Sequence, residues 1–340
     1  MPFVPQRVFF EEDALDYPQG KRMWKLFKSN PRIIIRVLKN KQRIIGIPGS
    51  TPQEAYREGK RTLVVGIRKT LTFQTCKPSA HFQLPLVTGC MGQCEYCYLN
   101  TQFGKKPYIR VYVNLNEILE QTQLYINQRQ PEITVFEGAA TSDPVPVEPY
   151  TESLADTIKF FARQEYGIFR FVTKFTDIDS LLDIKHAGKT TIRFSINADN
   201  VIESYEHFTP PLMKRLQAAY KVSQAGYPLG FIVGPVILFT GWEEKYRQMF
   251  EKVRTFLAAK TDEITLEIIS HRYTTRAKAT ISEVYPDSTL PMDESLRQFK
   301  FGQFGYGKYI YPQDQMGAIN DFFTREIETF LPGARISYIV

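Results

Sequence analysis

Cysteine and histidine are rare in this sequence, with four of each among 340 residues. So few cysteines exclude a framework of disulfide bonds, and thiols are typical of a reducing compartment. The sequence also lacks any apolar run of about eighteen residues, the length that crosses a bilayer. Its amino terminus lacks the basic-then-apolar order of a signal peptide. These absences predict a cytoplasmic protein without a membrane partner.

The composition is otherwise that of an ordinary globular protein, with 43% hydrophobic and 23% charged residues. A chain of 340 residues suits one barrel-sized domain with a small appendage, which we expect to be a monomer. The formal net charge of +7 favours a polyanionic partner such as nucleic acid, although many basic enzymes bind none.

Three of the four cysteines, Cys90, Cys94 and Cys97, lie within one stretch of eight residues. This C-x3-C-x2-C spacing supplies three thiolates, which are the usual ligands of iron–sulfur clusters. Three ligands leave the fourth iron of a cubane cluster without a protein ligand and open to a small molecule. The spacing therefore predicts a 4Fe–4S cluster that takes part in chemistry.

A structural zinc site is the main alternative for this motif, but such sites close with four ligands. The nearest histidine, His81, precedes Cys90 by nine residues. Coincidence among free cysteines is the other alternative, and the close spacing argues against it. Cys76 lies outside the motif, and we expect it to be a small buried side chain without a chemical role.

The cysteine motif resembles the signature of the radical S-adenosylmethionine (SAM) superfamily, and Tyr96 before the last cysteine fits the same pattern. In that superfamily the open iron binds the amino and carboxylate groups of SAM. The resemblance implies reductive cleavage of SAM to methionine and a 5′-deoxyadenosyl radical. The cofactors then carry the chemistry, and the protein orients them and excludes side reactions.

Six strand–helix repeats of about thirty residues begin near His81. Apolar runs predict strands over residues 82–87, 133–136, 168–173, 191–196, 229–233 and 264–269. Right-handed crossovers curl such units into a parallel α/β barrel, and six units instead of eight leave it open. We therefore expect an incomplete (β/α)6 barrel at residues 81–292, as in the radical SAM superfamily. A small basic α+β cap at residues 1–80 precedes it, and a separate segment at residues 293–340 follows.

Polar residues follow the predicted strands at the barrel end where ligands bind. From its residue type, Lys174 suits a carboxylate, whereas Ser195 and Asn197 suit ribose hydroxyls. The superfamily resemblance puts the residues after the second strand at the amine of SAM and those of the fifth strand at its adenine. Each residue alone is more commonly a helix cap or turn former, but their shared rim favours a site. The predicted SAM-binding residues are Ser142, Asp143, Lys174, Ser195, Asn197 and Gly234.

The last segment alternates glycine with aromatic rings between lysines over residues 300–309. This pattern predicts a glycine-bent hairpin, because aromatic wedges flanked by phosphate-binding lysines can extrude a damaged nucleotide. Packing of the same rings on the barrel is an equal alternative. The predicted DNA-binding residues are His271, Arg272, Tyr273, Lys300, Phe301, Gln303, Phe304 and Tyr306.

Together, the cysteine motif, Tyr96, Tyr98, the segment at residues 137–144 and the hairpin resemble the spore photoproduct lyase family over nearly the full chain. The resemblance implies direct reversal of 5-thyminyl-5,6-dihydrothymine, the methylene-bridged thymine dimer of spore DNA, by hydrogen abstraction from its C6. Tyr96 and Tyr98 resemble tyrosines that relay hydrogen back to deoxyadenosine, with packing beside the cluster as the alternative. We further expect a reductant such as flavodoxin or ferredoxin and a location in the spore core.

Ala140 departs from the family pattern. The family carries its hydrogen-donor cysteine at the matching position, and alanine has no S–H bond to donate. We therefore expect hydrogen abstraction to survive and the final hydrogen return to be impaired. Because the surrounding residues are intact, an engineered donor-less variant is the favoured interpretation.

Two other functions stay open at this point. One is a radical SAM enzyme that acts on RNA or a peptide, which substrate trials would distinguish. The other is a non-catalytic iron–sulfur protein that binds DNA, which cleavage of SAM by the reduced protein would exclude.

Overall fold

The computed structural model describes residues 3–39, 44–257, 264–301 and 307–340. Its strands are β1 (Arg7–Glu11), β2 (Ile34–Leu38), β3 (Thr62–Gly66), β4 (Thr75–Cys76), β5 (Ala80–Gln83), β6 (Val87–Thr88), β7 (Gln93–Cys94), β8 (Ile109–Tyr112), β9 (Thr134–Glu137), β10 (Gly167–Thr173), β11 (Thr190–Ile196), β12 (Glu206–His207), β13 (Leu229–Val236), β14 (Thr265–Ser270), β15 (Gln298–Phe301), β16 (Gly307–Ile310) and β17 (Arg335–Ile339).

The helices are α1 (Pro18–Lys28), α2 (Pro52–Lys60), α3 (Leu99–Gln102), α4 (Leu115–Arg129), α5 (Glu148–Thr151), α6 (Ser153–Phe161), α7 (Asp199–Tyr205), α8 (Leu212–Gln224), α9 (Trp242–Leu257), α10 (Thr275–Val284) and α11 (Gln313–Phe330). Short 3₁₀ segments lie at Glu12–Asp16, Val145–Val147, Asp179–Leu181 and Glu294–Leu296. In the described part of the chain, no helix has the length and apolar character needed to cross a membrane.

The chain divides into two compact units. The first contains Met1–Met91 and Phe103–Thr191, and the second contains Gly92–Gln102 and Ile192–Val340. The predicted domain boundaries near residues 80 and 292 do not coincide with this division. The reason is that the division falls inside strand β11, so the predicted barrel repeats are shared between the units.

The amino-terminal part of the first unit forms a five-stranded sheet in the order β2-β1-β3-β8-β6. Strand β1 pairs in parallel with β2 and β3, and β3 pairs in parallel with β8. Every residue of β3 is buried, so this strand needs a neighbour on each edge. Strands β6 and β8 lie beyond residue 80 in the chain, so the predicted α+β cap extends further along the chain than expected.

The first unit also contains strands β10, β9, β5 and β4 in adjacent order. Strands β5, β9 and β10 run parallel, and β4 returns antiparallel to β5. Strand β10 alternates buried and partly buried residues along its length, which is the period-two pattern of a strand with one face more fully covered than the other. Phenylalanine rings fill the core, with centroids 5.7 Å apart for Phe82 and Phe136 and 5.4 Å apart for Phe161 and Phe169.

The second unit contains β17, β14, β13 and β11 in adjacent order, all in parallel pairs. An ion pair lies inside this sheet, because Arg193 donates to both oxygens of Glu267 at 2.9 and 3.0 Å and both side chains are 1% exposed. Tyr338 of β17 donates to the same carboxylate at 2.5 Å. Helices α9 and α11 meet through aromatic rings such as Tyr246 and Phe323.

All six predicted barrel strands are present, with their ends shifted by a few residues. The first predicted strand differs from the others because it is not continuous. The strand expected over residues 82–87 is divided into β5 and β6, which belong to different sheets. Pro85 lies between them and has no N–H to donate to a ladder, so pairing breaks at this point.

Candidate active site

Gly89 fixes the position of the cysteine loop in the first unit. Its φ angle is +81°, and a Cβ added there would lie 2.4 Å from the carbonyl oxygen of Tyr108, so a side chain is excluded. The Gly89 N–H donates to the carbonyl of Thr141 at 2.9 Å, and Gly89 also forms a β-bridge with Ser142. The residue before Cys90 is therefore attached directly to the segment that follows β9.

A buried lysine contacts the same loop. The Nζ atom of Lys60 donates to the carbonyl oxygen of Cys90 at 2.9 Å and lies 5.2 Å from the ring centroid of Tyr56. Lys60 is only 3% exposed, and no described carboxylate forms an ion pair with it. A buried ammonium without a counter-charge is costly, so this site suits an anionic group. A cluster carried by thiolates is such a group.

Cys94 and Cys97 lie in the second unit, where short strands hold their loop. Strand β7 pairs antiparallel with β12, which places Cys94 opposite Glu206. The N–H of Cys97 donates to the carbonyl of Cys94 at 3.2 Å, forming a tight turn. Cys94 is buried, whereas Cys90 and Cys97 are partly exposed, and none of them is in a disulfide. Among the described residues, no three histidine, cysteine, aspartate or glutamate side chains are grouped to hold a metal ion.

Glu95, inside the motif, anchors this loop in the second unit. Its buried carboxylate lies 2.8 Å from Nε2 of His207 and accepts a hydrogen bond from Ser288. Its backbone N–H donates to the carbonyl of Tyr205 at 3.0 Å, and the hydroxyl of Tyr285 donates to the carbonyl of Gln93 in the same loop at 2.8 Å. The loop conformation thus depends on residues more than a hundred positions away.

The two candidate relay tyrosines have different surroundings. Tyr96 donates its hydroxyl hydrogen to Glu206, whose carboxylate forms a fully buried ion pair with Arg215 at 2.6 Å. Burial raises the pKa of Tyr96 well above its usual value, and the negative charge of Glu206 raises this pKa further. The phenol therefore keeps its proton. Tyr98, in contrast, is 56% exposed.

Ala140 and Ser142 lie in the turn after β9. Ala140 is partly exposed. The hydroxyl oxygen of Ser142 is buried and has no hydrogen-bond partner within the described residues. A buried hydroxyl without a partner costs free energy unless a ligand or water satisfies it. Ser142 is thus suited to meet a polar group of a bound cofactor.

Asp143 joins this turn to the end of β10. Its carboxylate accepts hydrogen bonds from Oγ1 of Thr173 at 2.8 Å, from the N–H of Lys174 at 2.9 Å and from the N–H of Val145 at 3.3 Å. Burial raises the pKa of Asp143 to about 6, and these hydrogen bonds oppose the rise. The structure therefore brings together Ser142, Asp143 and Lys174, with the Asp143 carboxylate occupied by protein donors.

The predicted residues of the second unit also have protein partners. Asn197 is fully buried, its side-chain N–H donates to the carbonyl of Pro235 at 2.8 Å, and its side-chain oxygen accepts from Ala198 at 3.0 Å. These bonds link the ends of β11 and β13. The carbonyl of Ser195 accepts from Arg215 at 2.9 Å. A Cβ at Gly234 would lie 3.2 Å from a carbon of Ile269, so the backbone is closely packed there.

The candidate DNA-contacting hairpin is formed by β15 and β16. Phe301 is 74% exposed and Phe299 is 48% exposed. Lys300 lies directly opposite Lys308 in the register, and the pKa of Lys308 is lowered by burial and by the charges of Arg272 and Lys300. Like charges opposite each other destabilise a hairpin, so this cationic group suits an anionic partner. The predicted contacts Gln303, Phe304 and Tyr306 lie outside the described residues.

Two predicted DNA-contacting residues are buried beneath the hairpin. His271 is 1% exposed, and burial together with the nearby Arg297 lowers its pKa to about 3. Tyr273 is 4% exposed and stacks on Tyr309 of β16 with centroids 5.4 Å apart. His271 is therefore uncharged and enclosed, unlike the basic surface group that its position suggested. Both residues support the base of the hairpin.

Several residues of the candidate site were missed by sequence reasoning. They are Lys60, Glu95, Glu206, His207 and Arg215. Glu95 lies inside the cysteine motif, and this position was the one feature of the sequence that could have indicated it. The other four residues lie in segments with no recognisable motif. Cys76, expected to be buried, is partly exposed on β4. It pairs with Ala80 at the start of β5, whereas Ala140 follows the end of the parallel neighbour β9.

Comparison with known families identifies the chain. A model of the family "Spore photoproduct lyase" matches residues 3–340. The chain belongs to this family. The spore photoproduct lyase of Clostridium acetobutylicum is 52% identical over 335 residues and covers 98% of each protein. That of Bacillus subtilis is 48% identical over 338 residues and covers 99% of this chain and 98% of its own.

Solved structures of spore photoproduct lyase share the fold. A C140A/S76C mutant with bound AdoMet and dinucleoside spore photoproduct is 48% identical, covers 100% of both chains and gives a TM-score of 0.97. A lyase complexed with dinucleoside spore photoproduct is 47% identical with the same coverage and TM-score. The incomplete parallel α/β barrel and the radical SAM lyase activity, direct reversal of the spore photoproduct, are confirmed.

A C140A mutant has also been solved, and it shares 47% of its sequence with this chain. This chain and the C140A mutant therefore both have alanine at this position, but the rest of their sequences differ widely. The hypothesis that this chain is itself engineered stays a prediction.

Proposed function

We propose that this chain repairs the spore photoproduct with a 4Fe–4S cluster at Cys90, Cys94 and Cys97 and with SAM bound beside Ser142. The buried hydroxyl of Ser142, which has no hydrogen-bond partner among the described residues, is the observation that carries the SAM assignment. Its segment is hydrogen-bonded to the residue before Cys90, so a ligand at Ser142 lies next to the cysteine loop. When bound, the two cofactors supply a radical that abstracts hydrogen from the lesion.

The chain's own residues hold and orient these groups. The ammonium of Lys174 suits the carboxylate of SAM, and Asp143 fixes the backbone of Lys174 by accepting its N–H. From their residue types, Ser195 suits a ribose hydroxyl and Gly234 allows close approach of an adenine ring. Asn197 supports the site by joining the ends of two strands, because its side-chain N–H and its side-chain oxygen are both hydrogen-bonded to backbone groups of the protein.

The hairpin and the residues beside it form the proposed DNA interface. Lys300, Lys308 and Arg272 supply cations for phosphates, and the exposed ring of Phe301 supplies a surface for an unstacked base. The burial of His271 favours a supporting role for that residue rather than contact with DNA.

Ala140 removes the usual hydrogen donor, so we propose that the final hydrogen return is impaired. Cys76 is the residue that decides how much clean repair remains. Support comes from a solved relative that carries C140A together with S76C, the same two residue types that this chain has at positions 140 and 76. The register separates Cys76 from Ala140, so a thiol at position 76 does not occupy the same place as a thiol at position 140.

Repair of dinucleoside spore photoproduct by the anaerobically reconstituted protein tests these assignments. We expect thymine formation that depends on SAM and dithionite, with side products from the unquenched thymine radical. Ala140→Cys should increase the fraction of clean product, and Cys76→Ser should decrease it. Equal product fractions in all three proteins would overturn the proposed roles of both positions.

The same assay separates the remaining alternatives. SAM cleavage without repair of the dinucleoside would favour an RNA or peptide substrate. Binding of DNA without any SAM cleavage would favour a non-catalytic protein. We further propose a small electron-transfer protein, flavodoxin or ferredoxin, as the reductant, and a monomer working in the spore core, where this lesion forms.

A further inference from the structure

We propose that Lys60 is a fixed positive charge that raises the reduction potential of the iron–sulfur cluster, an inference that rests on the proposed cluster at Cys90. Lys60 would thereby favour transfer of one electron from the reductant to the cluster. It is a positioning residue of the cysteine loop with an electrostatic effect on the reaction. The group with which its ammonium interacts is the negatively charged iron–sulfur cluster.

The fold holds Lys60 in one place. It is the last residue of α2, whose start is fixed by a capping box between Thr51 and Glu54. A Cβ at Gly59 would lie 2.6 Å from the backbone of Lys106, so the end of this helix packs directly on the neighbouring chain. The side chain of Lys60 therefore enters the interior from a rigid helix end.

The ammonium of Lys60 points at the cysteine loop and away from protein carboxylates. Its Nζ donates to the carbonyl oxygen of Cys90 at 2.9 Å, so the charge is hydrogen-bonded to the residue that supplies the first proposed cluster thiolate. The nearest acid in sequence, Glu58, is occupied by ion pairs with Arg7 at 2.5 Å and with Arg61 at 3.5 Å. The positive charge of Lys60 is therefore not neutralised by its own helix.

An electron added to the cluster makes the cluster and its thiolates more negative by one unit, and no atom is transferred. Charges and hydrogen bonds near a cluster set its reduction potential. A buried cation interacts more strongly with the more negative, reduced state, because the Coulomb energy grows with charge and is weakly screened in the interior. Lys60 should therefore stabilise the reduced cluster.

Removal of the charge with the hydrogen bond retained tests the proposal. The side-chain amide of Lys60→Gln keeps a donor for the Cys90 carbonyl, Lys60→Met keeps neither donor nor charge, and Lys60→Arg keeps both. The matched control is Lys189→Met, because Lys189 also donates to a backbone carbonyl, that of Glu165 at 2.8 Å, far along the chain from the motif. Each protein is reconstituted anaerobically, and iron and sulfide are measured before potentiometric titration followed by electron paramagnetic resonance.

We expect Lys60→Gln and Lys60→Met to lower the equilibrium constant for reduction at least tenfold, which is about 59 mV for one electron. Lys60→Arg and Lys189→Met should keep the potential of the unaltered protein. A Lys60→Gln cluster with an unchanged potential would overturn the proposal and leave the proposed function intact. A shift in Lys60→Met alone would assign the effect to the hydrogen bond and also overturn it.

Loss of the cluster from folded Lys60→Gln would show a structural role and contradict the electrostatic one. Failure of the unaltered protein to bind iron and sulfide would instead refute the proposed cluster. The iron and sulfide content of the unaltered protein thus distinguishes failure of the Lys60 proposal from failure of the proposed cluster.

Discussion

Asp143 is one of the buried carboxyl groups of the candidate site, and its titration should control stability in a defined pH range. Burial raises its pKa from 3.8 to about 6, despite hydrogen bonds from Thr173, Lys174 and Val145. The folded protein therefore holds this proton more tightly than the unfolded chain does. The stabilisation is fully present below about pH 3.8, declines as the pH rises and is lost above about pH 6.

The size of this effect follows from the two pKa values. A rise from 3.8 to about 6 corresponds to roughly 3 kcal/mol of free energy of unfolding. Asp143→Asn removes the titration. The asparagine also places its side-chain N–H opposite the backbone N–H of Lys174, so the hydrogen bond between these positions is lost. One lost hydrogen bond at a buried site costs about 1–3 kcal/mol. Above pH 6 these two effects oppose each other, so the variant and the original protein should have similar stabilities.

Urea unfolding of the apoprotein between pH 4 and 7 measures the difference. The stability of the original protein minus that of Asp143→Asn should fall by roughly 2.5 kcal/mol between pH 4 and pH 7, since other groups titrate equally in both proteins. The control is Asp156→Asn, because Asp156 is a half-exposed partner of Lys159 at the surface. A difference that stays constant from pH 4 to 7 would refute the burial argument for Asp143.

Three further predictions concern other parts of the molecule. Glu267→Gln should destabilise the protein by about 3–5 kcal/mol in chemical denaturation, because it removes the negative charge that pairs with the buried guanidinium of Arg193; a loss below 1 kcal/mol would contradict this. Lys300→Ala with Lys308→Ala should weaken binding of lesion-free DNA and reduce its salt dependence by about two charges, and an unchanged salt slope would exclude these phosphate contacts. Tyr98→Phe should increase the SAM consumed per repaired lesion, and unchanged consumption would exclude a hydrogen relay through Tyr98.

Much of the barrel could be predicted because its signals are local. Strand β10 was expected over residues 168–173 and spans Gly167–Thr173, because its apolar run is visible in the sequence itself. The first strand was less predictable, because Pro85 divides an apolar run between two sheets. Apolar content alone does not show which sheet a strand joins.

The hairpin shows the same limit for the site. The glycine-rich, cationic pattern left exposed rings and rings packed on the barrel as equal alternatives, and the structure exposes Phe301 and Lys300. The basic character of His271 also follows from residue type, but the structure buries the ring beside Arg297 and lowers its pKa to about 3. Residue type gives the charge in water, whereas desolvation depends on which elements pack around the group.

The sequence by itself determined the chemistry: the spacing of three cysteines within one loop, the parallel repeat that follows it and the absence of a sulfur at Ala140. These features depend only on residue identity and on positions close together in the chain. Only the tertiary structure decided which distant groups act on that chemistry. Lys60 at the Cys90 carbonyl, Glu206 at the Tyr96 hydroxyl and the burial of the Ser142 hydroxyl all result from long-range packing. Burial converts such ordinary side chains into strong electrostatic elements, because water no longer screens them.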